Sequence, residues 1–376
     1  MASEVKTDSP DAASMALHFD VAGRLTRVVA LSGGNINDTY LAVCRTADGE
    51  TGFIVQRLNR HVFASPEDVI HNMRVVTEHM GRRLAAEAPM ADRVWRIPRV
   101  IPARGGGDLI VDGKGNYWRA MSLIVGAQTY EHIRDIGHAH EIGVALGQFQ
   151  RSVSDIPVAR LKDVLPGFHV TPRYLAAYDA ASVSAPRQRR HAADVADCHA
   201  FVMQRRAWAA VLEDARGRGE LLPRPIHGDP KVANVMIDDA TGKGIGMIDL
   251  DTVSPGLVHY DFGDCLRSCC NPTGEDALDP GDVVFDTDLC AAVVKGYMTF
   301  AREFLTDADR HYLYDAIRLL TFELGVRFFA DFLAGDHYFK TARAGHNLCR
   351  ARVQFRLCES IERREATIRR VLEAHA

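Results

Sequence analysis

The sequence predicts an α+β protein of two lobes, a small one of strands with one main helix and a larger one that is mostly helical. Three observations carry this. The chain has 376 residues, more than one simple core needs. Short β-branched runs crowd its first third, whereas apolar residues recur at helical spacing beyond about residue 130. Within the helical part, VMID (235–238) and GIGMID (244–249) read as one short β-hairpin.

The elements follow in order. Residues 1–15 are small and polar and are expected to form a disordered tail. LTRVVAL (25–31), TYLAVCR (39–45) and FIVQRL (53–58) read as strands, the first two flanking the turn chemistry of SGGNIND (32–38). A helix over 65–86 is announced by Ser65 as cap, Pro66 at its first position and Asp68 in its first turn. Val69, Met73, Val76 and Met80 give that helix an apolar stripe. Strands are expected at 99–103, 108–113 and 117–126, then long helices at 138–153, 197–220 and 309–333. The domain plan is a first lobe over 16–122, a hinge at 123–126 and a second lobe over 127–376.

Composition excludes several classes. Apolar residues are 47% and charged residues 25%, ordinary values for a globular chain. A net charge of -4 gives no pull toward nucleic acid or anionic membrane. No run of eighteen apolar residues is present to span a bilayer. The eight cysteines form no C-x-x-C pair and read as reduced thiols of a cytoplasmic protein. His132, His138 and His140 lack the cysteine or carboxylate partners of a zinc site.

The informative stretch is residues 226–264, IHGDPKVANVMIDDATGKGIGMIDLDTVSPGLVHYDFGD. It places His227, Asp229 and Asn234 in the spacing H-x-D-x-x-x-x-N, and the hairpin that follows ends at Asp249. Phosphoryl transfer needs a carboxylate to orient a hydroxyl and take its proton, and oxygen ligands for magnesium. Asp229 fits the base, Asn234 and Asp249 fit the Mg2+ ligands, and His227 braces the loop. The bland alternative is a turn capped by Asp229, with Asn234 serving backbone groups and Asp249 an exposed acid.

This stretch resembles the catalytic segment of the aminoglycoside phosphotransferase family, which shares the two-lobed protein-kinase-like fold. Within that family it is most similar to bacterial N-acetylhexosamine 1-kinases. HGDPKVANVMID, MIDLDTVSPGLVHYDFGD, TFELGVRFFADFLAGDHYF (321–339), SGGNINDTYLAV (32–43) and FIVQRLNRHVFASPEDVIHNM (53–73) carry the likeness. The resemblance implies transfer of the ATP γ-phosphate to a hydroxyl of a small-molecule acceptor. For the subgroup it implies the anomeric hydroxyl of an N-acetylated hexosamine, a sugar.

Asp261, Phe262 and Gly263 spell D-F-G, the metal-binding string of protein kinases, but lie 32 residues beyond Asp229. Asp249 stands where the hairpin delivers a ligand, and Asp261 resembles the acid that buttresses the catalytic loop. Asp251 stands either beside the metal or at the surface. On the nucleotide side, Gly33 and Gly34 let backbone N–H groups approach phosphate, with Asn35, Asn37 and Asp38 facing phosphate or acceptor. Leu123 and Val125 of the hinge are expected at the nucleotide. Gln56 occupies the strand position where lysine is usual, and Arg57 beside it points to the opposite face. This puts a lysine–glutamate pair with Glu67 or Glu78 in doubt.

On the acceptor side, Arg327 stands four residues after Glu323, so it either forms a surface ion pair or reaches the acceptor. The TFELGVRF string favours the second. Arg318, Arg327, Lys340 and Arg343 mixed with Glu323 and Asp331 suit a neutral sugar better than a cationic aminoglycoside. The competing readings are a kinase for an aminoglycoside, choline, homoserine or hydroxylysine, and a nucleotide-binding pseudokinase.

Overall fold

The computed structural model describes residues 5–31, 36–87 and 93–375. The chain divides into two compact units. The first comprises residues 1–127, 155–165 and 248–254, and the second 128–154, 166–247 and 255–376.

The first unit is built on a sheet. In chain order it holds β1 (Lys6–Thr7), α1 (Pro10–Ala16), β2 (Arg24–Ala30), β3 (Asp38–Thr46), β4 (Gly49–Arg57), α2 (Pro66–Ala86), β5 (Val100–Ile101), β6 (Ile110–Val111) and β7 (Tyr117–Ser122). The sheet order is β1-β2-β3-β4-β7-β5, with β6 also paired to β7. β2, β3 and β4 form an antiparallel meander, and β7 lies antiparallel to β4 with Gln56 opposite Arg119. Period-two alternation puts Val28, Ala42, Phe53, Val55, Trp118 and Ala120 into one core.

The expected tail is corrected from residue 5 onward. β1 pairs parallel with β2, and α1, capped by Ser9, packs Ala12, Ala13 and Ala16 into the sheet core beside Phe19. The small residues that read as tail composition are those that fit close against a sheet at little side-chain entropy cost.

Two later segments join this unit through α2. Asn72 is fully buried and its Nδ2 donates to the carbonyls of Lys162 and Val253, each at 2.8 Å. Its Oδ1 accepts from the Lys162 N–H at 2.8 Å. A buried amide so satisfied ties α2 to both segments, because leaving it unpaired would cost about 1–3 kcal/mol.

The second unit is mostly helical. β8 (Ala127–Gln128) stands at the unit boundary. Then come α3 (Ile136–Val153), α4 (Thr171–Ser184), α5 (Arg187–Arg190), α6 (Val195–Arg205), α7 (Val211–Gly217), β9 (Arg224–Ile226), β10 (Val235–Asp238), β11 (Gly244–Met247) and β12 (Ser254–Gly256). The chain ends through α8 (Val258–Cys269), α9 (Thr287–Ala301), α10 (Asp307–His311), α11 (Leu313–Ala334), α12 (His346–Arg363) and α13 (Glu365–His375).

The hairpin expected from VMID and GIGMID is β10–β11, its turn held by Asp238 Oδ1, which accepts from the Ala240 and Thr241 N–H groups. The helix expected over 197–220 is broken into α6, a 3-10 turn and α7. Trp208 in that turn packs under Arg318 and against Phe322 of α11, so tertiary packing overrides local periodicity. The helix expected over 309–333 is interrupted at Tyr312, between α10 and α11.

α3 and α9 meet backbone to backbone. A methyl added at Gly143 or Gly147 of α3 would collide with the carbonyl of Val293 or Tyr297, and one at Gly296 of α9 with that of His140. Among the described residues, no helix is long and apolar enough to cross a membrane.

Candidate active site

The loop from His227 to Asn234 lies in the second unit, between β9 and β10. His227 and Asp261 are both fully buried. The Asp261 carboxylate accepts from the N–H groups of His227 and Gly228, each at 2.8 Å, and from Gln150 Nε2 at 3.0 Å. Burial pushes the Asp261 carboxyl above its usual value, opposed by His227 and these donors. D-F-G is therefore helical: Asp261 sits in the first turn of α8 with its oxygens committed to the loop. His227 Nδ1 accepts from the Asp229 N–H at 3.3 Å, and its ring meets Phe149 edge-on at 5.2 Å.

Asp229 is half-buried. Burial pushes its carboxyl up, but the charge and hydrogen bond of Lys231, then His227 and Arg267, carry it below its usual value. Lys231 Nζ stands 2.8 Å from Asp229 Oδ2. This lysine was not singled out from the sequence, although it follows Asp229 by two residues in the same motif. Asn234 donates from Nδ2 to the Asp229 carbonyl at 2.8 Å and to Oδ2 at 3.2 Å. With the amide nitrogen so engaged, its oxygen is the face left for a cation.

Asp249 and Asp251 belong to the first unit. Asp249 is exposed and adopts the left-handed region (φ 62) at the head of a 3-10 turn, Leu250–Thr252. The Asp249 carboxylate and, in the second unit, the Asn234 amide oxygen are each hard donors of the type magnesium takes.

Asp251 is not at the surface. It is 3% exposed, and it accepts from Arg119 Nη2 and from Asn37 Nδ2. Arg119, fully buried on β7, also donates to Gln56 Oε1 from Nε at 3.0 Å and from Nη2 at 2.6 Å. Gln56 in turn donates from Nε2 to Thr39 Oγ1 at 2.9 Å. The buried cation of this unit thus comes from β7, one strand beyond the position where lysine is usual. Its acid is Asp251 rather than Glu67 or Glu78; Glu78 pairs with Arg74 on its own helix.

The remaining expectations divide. Gly33, Gly34 and Asn35 lie outside the described residues. Asp38 is exposed at the start of β3 and accepts from Arg57 Nε at 2.8 Å, so the two engage each other across the β3–β4 ladder. Leu123 is half-buried beside Gly52, and Val125 is 67% exposed.

The surface pair of Glu323 and Arg327 does not form. Glu323 is 1% exposed and bonded to His169 and Thr171. The Arg327 guanidinium instead lies among the rings of Phe168, Tyr174, Tyr338 and Phe339, at 4.9–5.9 Å from their centroids. Asp331, one turn further along α11, accepts the N–H groups of His337, Tyr338 and Phe339, which places the last two rings.

Residues 27–288 match the family model described as "Phosphotransferase enzyme family". Solved structures with a similar fold include a microcompartment-associated aminopropanol kinase, with TM-score 0.63, 18% identity and coverage of 96% of this chain and 98% of that one. An aminoglycoside phosphotransferase from Alicyclobacillus acidocaldarius gives TM-score 0.61 at 14% identity over 97% of each chain. A spectinomycin phosphotransferase solved with ADP and spectinomycin gives 0.52 at 13% identity over 93% of this chain and 97% of that one. These likenesses establish the kinase-like α+β fold expected from the sequence.

Proposed function

Because this chain belongs to the phosphotransferase enzyme family, we propose that it is an ATP-dependent small-molecule kinase acting on a hydroxyl, best suited to the anomeric hydroxyl of an N-acetylhexosamine. The observation that carries the reading is the loop in which Asp261 holds the His227 and Gly228 amides while Lys231 and Asn234 contact Asp229.

Asp229 takes the role of base. Its lowered pKa keeps it ionised near neutrality, ready to orient the acceptor hydroxyl and receive its proton. Lys231 adds positive charge where the transferred phosphoryl group gathers negative charge. Asn234 and Asp249 are the proposed ligands of magnesium, which when bound neutralises charge on the phosphate oxygens. Gly33, Gly34, Asn35, Gln56, Leu123 and Val125 remain the proposed nucleotide contacts, with Gln56 acting through its bond to Arg119. Asp38 and Arg327 are the proposed acceptor contacts. The cysteines are free and mostly buried, which suits a reducing compartment such as the cytoplasm.

The acceptor class rests on Arg327. A box of four rings would suit a cationic amine, but here a guanidinium already occupies it and repels a second cation. A neutral polyol can hydrogen-bond the guanidinium and stack on a ring. The second reading is an amino-alcohol kinase, favoured by the aminopropanol kinase among the similar structures.

The test is ADP release from Mg-ATP with N-acetylglucosamine, N-acetylgalactosamine, glucose, galactose, kanamycin, aminopropanol, choline, homoserine and hydroxylysine. Turnover confined to the N-acetylhexosamines supports the sugar reading. Turnover with an amino acceptor keeps the kinase and moves the substrate. ATP binding with silence across the panel overturns the acceptor reading and favours a pseudokinase.

A further inference from the structure

A second imidazole reaches the catalytic loop of the second unit. His169 is 4% exposed and sits in the left-handed region (φ 59), which side-chain-bearing residues rarely adopt. Its Nε2 lies 2.9 Å from the Gly228 carbonyl oxygen, and its Nδ1 lies 2.9 Å from Glu323 Oε1. The Thr171 hydroxyl donates to the other Glu323 oxygen at 2.7 Å.

Both partners of the ring are acceptors. A carbonyl has no proton to give and an ionised carboxylate has none, so each ring nitrogen must carry its own. That is an imidazolium. The Thr171 donor fills the second Glu323 oxygen, so the first faces Nδ1 alone. Burial pulls the ring toward neutrality, but the hydrogen bond and charge of Glu323, then Asp264 and the Gly228 carbonyl, leave its pKa raised. The phenol packed on the ring is Tyr260 of α8, 5.6 Å away, which burial and then Glu213 hold far above the usual tyrosine value and so neutral. Phe168 packs tilted against the same ring, and the Arg327 guanidinium lies 5.2 Å from its centroid.

We propose that His169 is a positioning residue: clamped as an imidazolium between Glu323 of α11 and the Gly228 carbonyl, it fixes the peptide that precedes Asp229 and registers it to the helix carrying Arg327. The clamp rests on the reading of Asp229 as the base. It joins two parts of the unit that chemistry requires to move together, the base and the proposed acceptor-binding helix. The Asp261 carboxylate accepts the His227 and Gly228 amides of the same loop.

Two variants separate charge from geometry. Glu323→Gln can keep all three hydrogen bonds, its amide nitrogen donating to Nδ1 of a now neutral ring. His169→Asn tolerates the left-handed backbone but is too short to bridge. Nitrogen-15 spectra of the full chain at about pH 7.5 should show both His169 ring nitrogens protonated, and in Glu323→Gln only Nε2. His169→Asn should lower kcat about tenfold or more at an unchanged KM for ATP. Turnover is read as ADP release from Mg-ATP with the acceptor the panel selects, or with water where it selects none.

A wild-type ring with an unprotonated Nδ1, or a folded His169→Asn protein with wild-type kcat, overturns the clamp. Asp229→Asn run alongside tests the base reading separately: if that variant turns over normally the base is misassigned, while the ring signals still decide the clamp.

Discussion

Arg119 and Asp251 form a buried ion pair inside the first unit, with side chains 0% and 3% exposed. The pair links β7 to the 3-10 turn that follows Asp249, so the proposed metal ligand is held in place by a cation on a strand. Gln56 and Asn37 complete the polar cluster by bonding one partner each. Such a cluster is costly to break from one side, because a lone buried charge is left behind.

Arg119→Met should therefore destabilise the protein by about 3–5 kcal/mol, and Asp251→Asn added to it should recover part of that loss. Urea unfolding of the two single variants and the double one checks this. Simple additivity of the two losses would mean the residues do not act as a pair.

Asp229→Asn should lower turnover by about 10²–10⁴-fold while ATP binding measured by calorimetry stays near wild type. Lys231→Met should act through pH. Lys231 is the largest influence opposing burial at Asp229, so its removal raises the carboxyl and moves the acid limb of kcat/KM to higher pH. An unmoved acid limb would show that another group titrates there.

Asp249→Asn should weaken magnesium-dependent nucleotide binding with little change in thermal stability, since its side chain is exposed. Asp261→Asn should do the opposite, costing about 1–3 kcal/mol because a buried acceptor of three hydrogen bonds is altered. Magnesium titration and melting curves of both variants separate the roles. Loss of metal dependence in a well-folded Asp261→Asn protein would reverse them.

The His169–Glu323 pair should leave a trace in stability against pH. The folded ring has a pKa raised above its ordinary 6.5. Its contribution is then fully present below pH 6.5 and is lost as pH rises through the folded value. The stability advantage of the wild type over Glu323→Gln should shrink across that range. An advantage that stays constant from acid to alkaline pH would count against the ion pair.

Gly143→Ala and Gly296→Ala should each destabilise by about 1–3 kcal/mol or more, because the added methyl meets a backbone carbonyl that cannot swing aside. Gly81→Ala in α2, where nothing stands near the added methyl, should be neutral or slightly stabilising. Denaturant midpoints of the three variants provide the comparison.

Much of the candidate loop was legible because it is local. His227, Asp229 and Asn234 fall within eight residues, and the hairpin that follows is written in its own turn chemistry. Lys231 is equally local, but a lysine two residues from an aspartate reads as an ordinary surface charge until its Nζ is placed on Asp229 Oδ2. Arg119 was not legible in the same way. It is 63 residues from Gln56, and only the β4–β7 register brings the two opposite each other. Glu323 and Arg327 misled for a related reason: their spacing describes a helix surface, whereas the helix is buried on the side where Glu323 meets His169, 154 residues away. The docking of Ala12, Ala13 and Ala16 is not written in the sequence, because small-residue segments look alike whether they wander or dock.

The glycine seam between α3 and α9 reaches further than packing. Gln150 of α3 accepts from the Tyr297 hydroxyl of α9 at 2.6 Å and donates to Asp261, the acid under the proposed catalytic loop. A screen for variants that lose turnover would thus collect hits at Gly143, Gly147 and Gly296, positions no ligand need approach. Warming that loosened the seam would silence the chemistry before the molecule as a whole came apart, so heat-sensitive alleles of this gene should map there.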